Sequence, residues 1–505
     1  MNTGQDKIRQ RIPLFVFFIG YLLFSLGTYR DYGCTWDEQD VYQGGAELFQ
    51  YVVRGVQPAY LDPEHSYPYA GFLALITSPA NYEFLHLLNL LFAVSLFWVL
   101  FEVLLAQDGK PWLALVGPVF LFLTPSFSGS IPANPKDIPF AIFYFLSLAA
   151  IYWFEQKLPD FKVRWAILGI LFAFAISSRI VGFTLFPVLI LFDAYLFWWK
   201  GGKKKRYETK DWLWKKSKEW LGVGVTSQIL CMVLWPYLGE RYFQHLMNVF
   251  WLSAHFPPKF AFLFMGGLSD SLSYSWIYLP VWILVSTPFF VLAFFLISLW
   301  RAPSFLANQL YVLLGIALGL NLVIYFGLHP AIYDGLRHYL FLMPILSALS
   351  ALAFIDFFGK GLKSITRKAA GALVLLGAGL TASQMIQLHP YEYVYFNEAV
   401  GGFRGAYGRY ETDYWVASMK EAVLWLKANE IKDPNKRYKI FADGKPFQSQ
   451  AYFAPNMEAV SSPKDADYSI VMTRAGIKPS PEDQPKIIHR VEREGAPLSF
   501  VLRLR

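Results

Sequence analysis

Apolar residues run through this chain in long blocks with short polar breaks between them, and most blocks are roughly 18 to 24 residues long, the length an α-helix needs to cross a bilayer. They predict about eleven spans, at 12–29, 83–106, 112–128, 138–155, 165–178, 181–199, 220–238, 276–299, 309–328, 339–358 and 369–387. The first block follows Lys7, Arg9 and Arg11. It is too long for a signal-peptide core and has no small-residue cleavage site, so a retained first span is expected.

Past residue 387 the pattern changes. Residues 388–415 are rich in aromatics and glycine, and Val416 to Glu430 carries apolar residues at helical spacing (Val416, Met419, Ala422, Val423, Leu426). Short β-type runs follow at Tyr438 to Phe441, Tyr468 to Met472 and Ser499 to Leu502, with turn signals at Asp443-Gly444 and Glu494-Gly495. The expected fold class is therefore mainly α: a polytopic membrane helix bundle over residues 1–387 and a small extracytoplasmic α/β domain over 388–505.

Charge fixes the orientation. With the N-terminus inside, the cytoplasmic segments hold about 21 Lys and Arg against about 7 in the outer loops, and that bias sets topology. The inner residues include Lys110, Lys157, Lys162, Arg164, the run from Lys200 to Lys218, Arg301, Lys360, Lys363, Arg367 and Lys368. An odd number of spans then leaves the C-terminus outside. Lys203-Lys204-Lys205-Arg206 reads as an orientation signal beside a span that also touches anionic lipid. The net charge of +8 is thus spent on topology, and nucleic acid is not an expected partner. Composition agrees: 55% of the 505 residues are hydrophobic, 16% charged and 18% aromatic, with many rings at block ends where an interfacial belt forms. The two cysteines, Cys34 and Cys231, make no disulfide framework.

Two outer loops are long. Loop 30–82 is rich in Tyr, Gly and Pro (Tyr60, Pro63, Tyr67, Pro68, Tyr69), and its stretch from Ala46 to Val53 suits an interfacial helix. Loop 239–275 carries Phe256-Pro257-Pro258 and Gly266-Gly267. Loops of this length in a compact protein are commonly either functional or disordered.

Chemistry gathers at the outer ends of the spans. Cys34-Thr35-Trp36-Asp37-Glu38 places two carboxylates where a span meets water, and ionisable groups at that depth mark sites. Asn134-Pro135-Lys136-Asp137-Ile138-Pro139 precedes the fourth span, Arg179 lies between the fifth and sixth, and His329, Asp334, Arg337 and His338 precede the tenth. Together they predict an outer pocket with the carboxylates Asp37 and Asp137 and the cations Lys136, Arg179 and Arg337. Cations at that depth suit a phosphate, whose oxygens they bind by charge-assisted hydrogen bonds. Hard oxygen ligands at Asp37 and Asp40 would suit a divalent cation, while no His/Cys spacing for zinc occurs. The segments Tyr393 to Gly402 and Tyr410 to Trp415 combine rings with carboxylates and fit either a carbohydrate-facing surface or an interfacial belt and hinge.

The Asp-Glu pair after span one, Lys136-Asp137 before span four, Arg337-His338 before span ten and eleven spans with an outer C-terminal domain resemble bacterial GT-C glycosyltransferases, the group of protein O-mannosyltransferases and the aminoarabinose transferase of lipid A. The resemblance covers about residues 12–387. It implies a sugar donor carried on polyprenyl phosphate, an acceptor that is protein, lipid or glycan, and a bacterial inner-membrane location. It also implies that Asp37 is the base toward the acceptor, that Glu38 orients the site and that Asp137 is a second outer carboxylate. Lys136 and Arg337, with Arg179 and His338 beside them, would hold the donor phosphate. No sugar-binding repeat domain of the eukaryotic mannosyltransferase kind follows. The competing class is a transporter or flippase of a lipid-linked or anionic substrate, which calls for charges near the bilayer midplane.

Overall fold

A computed structural model of the protein describes residues 8–55, 82–157, 163–201, 209–235, 237–254, 260–359, 361 and 364–505. The loop positions Tyr60, Pro63, Tyr67, Pro68 and Tyr69, the basic run 203–206, Phe256-Pro257-Pro258 and the basic residues Lys7, Lys162, Lys360 and Lys363 lie outside them.

Among the described residues five helices are long and apolar enough to cross a membrane: Tyr82–Asp108, Asp137–Gln156, Ile180–Trp199, Gln309–Leu328 and Ile365–Leu388. Shorter apolar helices span Ile12–Thr28, Pro111–Phe122, Arg164–Ser178, Phe289–Trp300 and Leu342–Phe358. The protein is a multi-pass membrane protein.

Two expected spans are broken by proline. Block 112–128 becomes Pro111–Ala114, Val116–Phe122 and Pro125–Ser128, and block 276–299 becomes Tyr278–Ser286 and Phe289–Trp300. Thr124 and Thr287 each precede a proline and each is extended (ψ 92° and 135°), because the proline ring crowds an α conformation at the residue before it. The block expected at 220–238 begins earlier, as helix Thr209–Leu234. Its first turns carry Asp211, Lys215, Lys216 and Lys218 among tryptophans, a mixture that hydropathy scores as a loop.

Asp137–Lys157 is apolar around its whole circumference and forms the centre of the bundle, with 89% of its span window buried against Tyr82–Asp108, Arg164–Ser178, Gln309–Leu328 and Leu342–Phe358. Helix Ile365–Leu388 is the opposite case at 11%, its apolar side chains left for lipid. Where Arg164–Ser178 crosses Thr209–Leu234 the backbones approach closely. A Cβ on Gly169 would stand 2.6 Å from Cβ of Thr226, so only glycine fits.

In the second long loop, β1 (Ala261–Phe264) and β2 (Gly267–Asp270) form an antiparallel hairpin. Beyond Leu388, residues 391–396 are buried as a linking segment, and helix Met419–Asn429 buries Met419, Ala422, Val423 and Leu426 against the sheet that follows. That sheet holds β3 (Tyr438–Ala442), β4 (Met457–Ala459), β5 (Tyr468–Met472), β6 (Ile487–Arg493) and β7 (Ala496–Arg503), in the order β4-β3-β5-β7-β6. β3 runs parallel to β4 and β5, while β7 is antiparallel to β5 and β6. The turn at Glu494-Gly495 has φ of 51° and 75°, the paired positive values that a two-residue hairpin turn needs. β4 and β6 were not among the expected strands. The first is three residues long, and the second mixes charged and apolar residues without clean alternation.

Candidate active site

Asp37 is presented by the start of helix Glu38–Arg54. Thr35 and Glu38 stand in the spacing of a capping box, and Glu38 Oε2 accepts the Thr35 backbone N–H at 2.6 Å. The Thr35 hydroxyl instead donates to the Ala133 carbonyl at 2.7 Å, fastening the first loop to the segment that carries Lys136 and Asp137. Asp137 starts its own helix. The Asn134 side chain accepts the Asp137 N–H at 2.9 Å and donates to Asp137 Oδ2 at 3.1 Å.

Arg337 lies in the short 3-10 turn before helix Leu342–Phe358 and is the hub. With a side chain only 4% exposed, it donates to Asp37 Oδ2, reaches Asp334 Oδ2 at 3.1 Å and stands 3.7 Å from Asp137 Oδ2. Its guanidinium lies over Trp415 at 4.4 Å and Tyr333 at 5.4 Å. Arg179 donates to Asp137 Oδ1. His338 stands edge-on to Tyr333 at 4.7 Å, with Arg179, Arg337 and Lys136 close enough to act on its charge. Lys136 is near Arg179, Asp37, Asp137 and Arg337. Six of the seven expected site residues thus converge at one end of the bundle.

Glu38 does not join them. It is fully buried, and His86 Nε2 meets its Oε1 at 2.8 Å. Its work is to hold the turn that presents Asp37.

The electrostatics follow from this crowding. Burial opposes the charge on Asp37, but Arg337, Lys136 and Lys445 outweigh it and hold the carboxyl below its usual range. Burial, reinforced by Arg179, brings the Lys136 ammonium down to about 8. Burial and three neighbouring cations keep the His338 imidazole neutral well below its ordinary value. The Asp37 and Asp40 carboxylates do not converge on one point: Asp40 is mostly exposed and pairs with Lys445. Among the described residues no group of three or more His, Cys, Asp or Glu could hold a metal ion. A divalent ion here would have to displace Arg337 and Lys445, so the donors as arranged do not fit one.

Four further residues belong to the arrangement. Asp334 bridges Arg337 to Arg474, whose Nη2 is 3.0 Å from Asp334 Oδ1 and whose guanidinium lies 5.2 Å over Trp36. Glu411 accepts backbone N–H groups of Leu263 at 3.1 Å and Ala475 at 2.9 Å, tying β1 to the C-terminal domain. Burial and Asp334 push the Glu411 carboxyl up to about 7. His86 holds Glu38. Asp334 was visible in the sequence as part of the charged loop, but a lone His86 near the start of a span and an Arg474 in a water-facing domain carry no signal of their own. The rings of Tyr393, Tyr395, Phe396, Tyr410, Tyr414 and Trp415 are buried, so of the two readings of those segments packing is the one observed, with Trp415 the floor under Arg337.

No protein-family model and no curated protein matches the sequence. Among solved structures, ArnT from Cupriavidus metallidurans bound to undecaprenyl phosphate is similar over 97% of this chain and 98% of its own, at 13% identity and a TM-score of 0.50. The oligosaccharyltransferase AglB from Archaeoglobus fulgidus, in complex with an inhibitory peptide and a dolichol-phosphate, gives a TM-score of 0.46 at 14% identity over 86% of this chain. The chain spans 61% of the length of AglB. The likeness to ArnT is one of fold, and it is the GT-C fold that the sequence resemblance implied.

Proposed function

We propose that this protein is a glycosyltransferase of the membrane that moves a sugar from a polyprenyl-phosphate donor to a protein, lipid or glycan acceptor. The observation that most supports this is the convergence of Asp37, Asp137, Lys136, Arg179 and Arg337 from four separate segments at one end of an otherwise apolar bundle. ArnT, which has this fold, was solved bound to undecaprenyl phosphate.

In this reading the acceptor gives its proton to Asp37 while its lone pair forms the bond to the anomeric carbon. The bond from that carbon to the phosphate oxygen breaks, and the polyprenyl phosphate leaves with the electron pair. Lys136 and Arg337, with Arg179 and His338 alongside, stabilise the charge developing on that phosphate. Asp137 holds Arg179 and Arg337 in place. Direct displacement of this kind inverts the anomeric centre. The bundle is read as eleven spans of a bacterial inner membrane, N-terminus inside and residues 388–505 on the outer face beside the site.

The test is to extract the purified protein and identify its bound lipid by mass spectrometry. A sugar-bearing polyprenyl phosphate is expected with the wild type and a depleted one with Arg337→Ala. The same lipid content in both, or no prenyl phosphate in either, would refute the assignment.

A further inference from the structure

We propose that Arg474 of the C-terminal domain is a positioning residue for the donor site, holding Arg337 in place through the carboxylate of Asp334. This rests on the reading above that Arg337 binds the donor phosphate.

Asp334 is 2% exposed and shares its two oxygens between two arginines: Oδ2 takes Arg337 Nη1 at 3.1 Å and Oδ1 takes Arg474 Nη2 at 3.0 Å. A carboxylate engaged on both oxygens by planar donors has little rotational freedom left, so the orientation of one guanidinium fixes the other. Arg474 is itself fixed. Its guanidinium lies over Trp36 at 5.2 Å and Phe260 at 5.8 Å, and its side chain is 12% exposed. Through Trp36 it touches the segment that carries Asp37. Arg474 therefore braces both sides of the site at once, the acceptor side through Trp36 and the donor side through Asp334.

The backbone on both sides of this pair is held where side chains rarely let it go. Asp334 has φ of 58° and Ala475 has φ of 55°, and non-glycine residues stay in the left-handed region only where their surroundings over-determine them. At Asp334 the constraint is the Tyr278 hydroxyl, which accepts the N–H of Gly335 at 2.9 Å. At Ala475 it is Glu411, whose two oxygens accept the Ala475 N–H at 2.9 and 3.0 Å. The turn that carries Asp334 and the turn that follows Arg474 are thus each held by a hydrogen bond from outside the turn, which keeps the bridging carboxylate and both arginines in register. The C-terminal domain in this view completes the donor site.

The experiment measures undecaprenyl phosphate binding to the full-length protein in detergent, for Arg474→Ala, Asp334→Asn, the double variant and Arg337→Ala, with thermal unfolding alongside. Arg474→Ala is expected to weaken binding about tenfold and Arg474→Lys about threefold, because a point charge keeps the attraction to Asp334 but not the planar fork. If Arg474 acts through Asp334, the double variant binds about as well as the weaker single variant, a non-additivity that a purely structural residue does not give. Additive losses, or unchanged binding in well-folded Arg474→Ala, overturn the proposal. Should Arg474→Ala fail to fold, Arg474→Lys decides alone, and wild-type binding there overturns it too. Arg337→Ala separates the two levels. If it binds as wild type, the donor-site reading fails; if it loses binding while Arg474→Ala does not, only the role of Arg474 fails.

Discussion

Replacing Asp37 by asparagine tests the centre of the proposed chemistry, and the geometry says how the variant should behave. The amide keeps the shape and can still accept a hydrogen bond from Arg337, but it cannot take up a proton from the acceptor. Loss of a positioned general base costs on the order of 10²–10⁴ in rate. Stability should not follow. Removing one partner of a buried ion pair costs about 3–5 kcal/mol when the other charge is stranded, but Arg337 here retains Asp334 at 3.1 Å and Asp137 at 3.7 Å. The variant should fold and unfold much like wild type.

Donor binding gives the sharper expectation. The Asp37 carboxylate occupies one side of the Arg337 guanidinium, where, on the proposed reading, it would compete with an incoming phosphate. A neutral amide competes less, so Asp37→Asn should bind undecaprenyl phosphate as well as wild type or better. The assay is single-turnover sugar transfer by donor-loaded protein, with lipid affinity measured on the same preparation. Turnover within tenfold of wild type on loaded protein would remove Asp37 from the chemistry. Weaker lipid binding at unchanged stability would show instead that Asp37 helps to hold the donor.

Three other outcomes follow from particular groups. Because Lys136 loses its proton near pH 8, undecaprenyl phosphate binding should weaken as pH rises through that value, and Lys136→Arg should carry binding further into alkali; a flat profile would place Lys136 away from the phosphate. The Glu411 carboxyl is raised to about 7, so its contribution to stability is full below the unfolded value of about 4.3 and fades as pH rises through 7. Thermal midpoints should therefore fall across that window, and Glu411→Gln should flatten the fall; parallel slopes would sink the assignment. A Cβ on Gly129 would stand 2.4 Å from the Tyr393 nitrogen and 2.6 Å from Glu392 Cβ, so Gly129→Ala should cost about 1–3 kcal/mol in unfolding, while Gly20→Ala, which meets nothing within 4 Å, serves as the quiet control.

How legible the fold was depended on whether an element is made by composition or by backbone geometry. A run of some twenty apolar residues is a statement about the bilayer, and Tyr82–Asp108, Gln309–Leu328 and Ile365–Leu388 were readable to within four residues at each end. The breaks at Thr124-Pro125 and Thr287-Pro288 leave hydropathy untouched, since threonine and proline within an apolar window barely lower its mean, yet each proline removes a helical N–H and turns its predecessor out of the helix. In the C-terminal domain Tyr468–Met472 was legible as a compact β-branched and aromatic run. Met457–Ala459 forms only because β3 offers it a parallel edge, a cause that lies outside its own three residues.

The site divides along a similar line. Charges at the ends of spans stand out because a membrane makes them costly, which is why Asp37, Lys136, Asp137, Arg179, Arg337 and His338 could be picked from the sequence. Arg474 sits in a domain where arginine costs nothing, and its partner Asp334 is 140 positions away, so no local pattern could join them. Glu38 shows the remaining limit. Its adjacency to Asp37 suggests a shared task, but successive residues at a helix start point in directions about 100° apart and do not face each other. The chain uses that divergence: Asp37 turns toward Arg337, and Glu38 turns toward His86 and the Thr35 amide. One carboxylate of the pair faces the cations because the other is spent on holding the turn, and nothing in the two adjacent acids themselves says which does which.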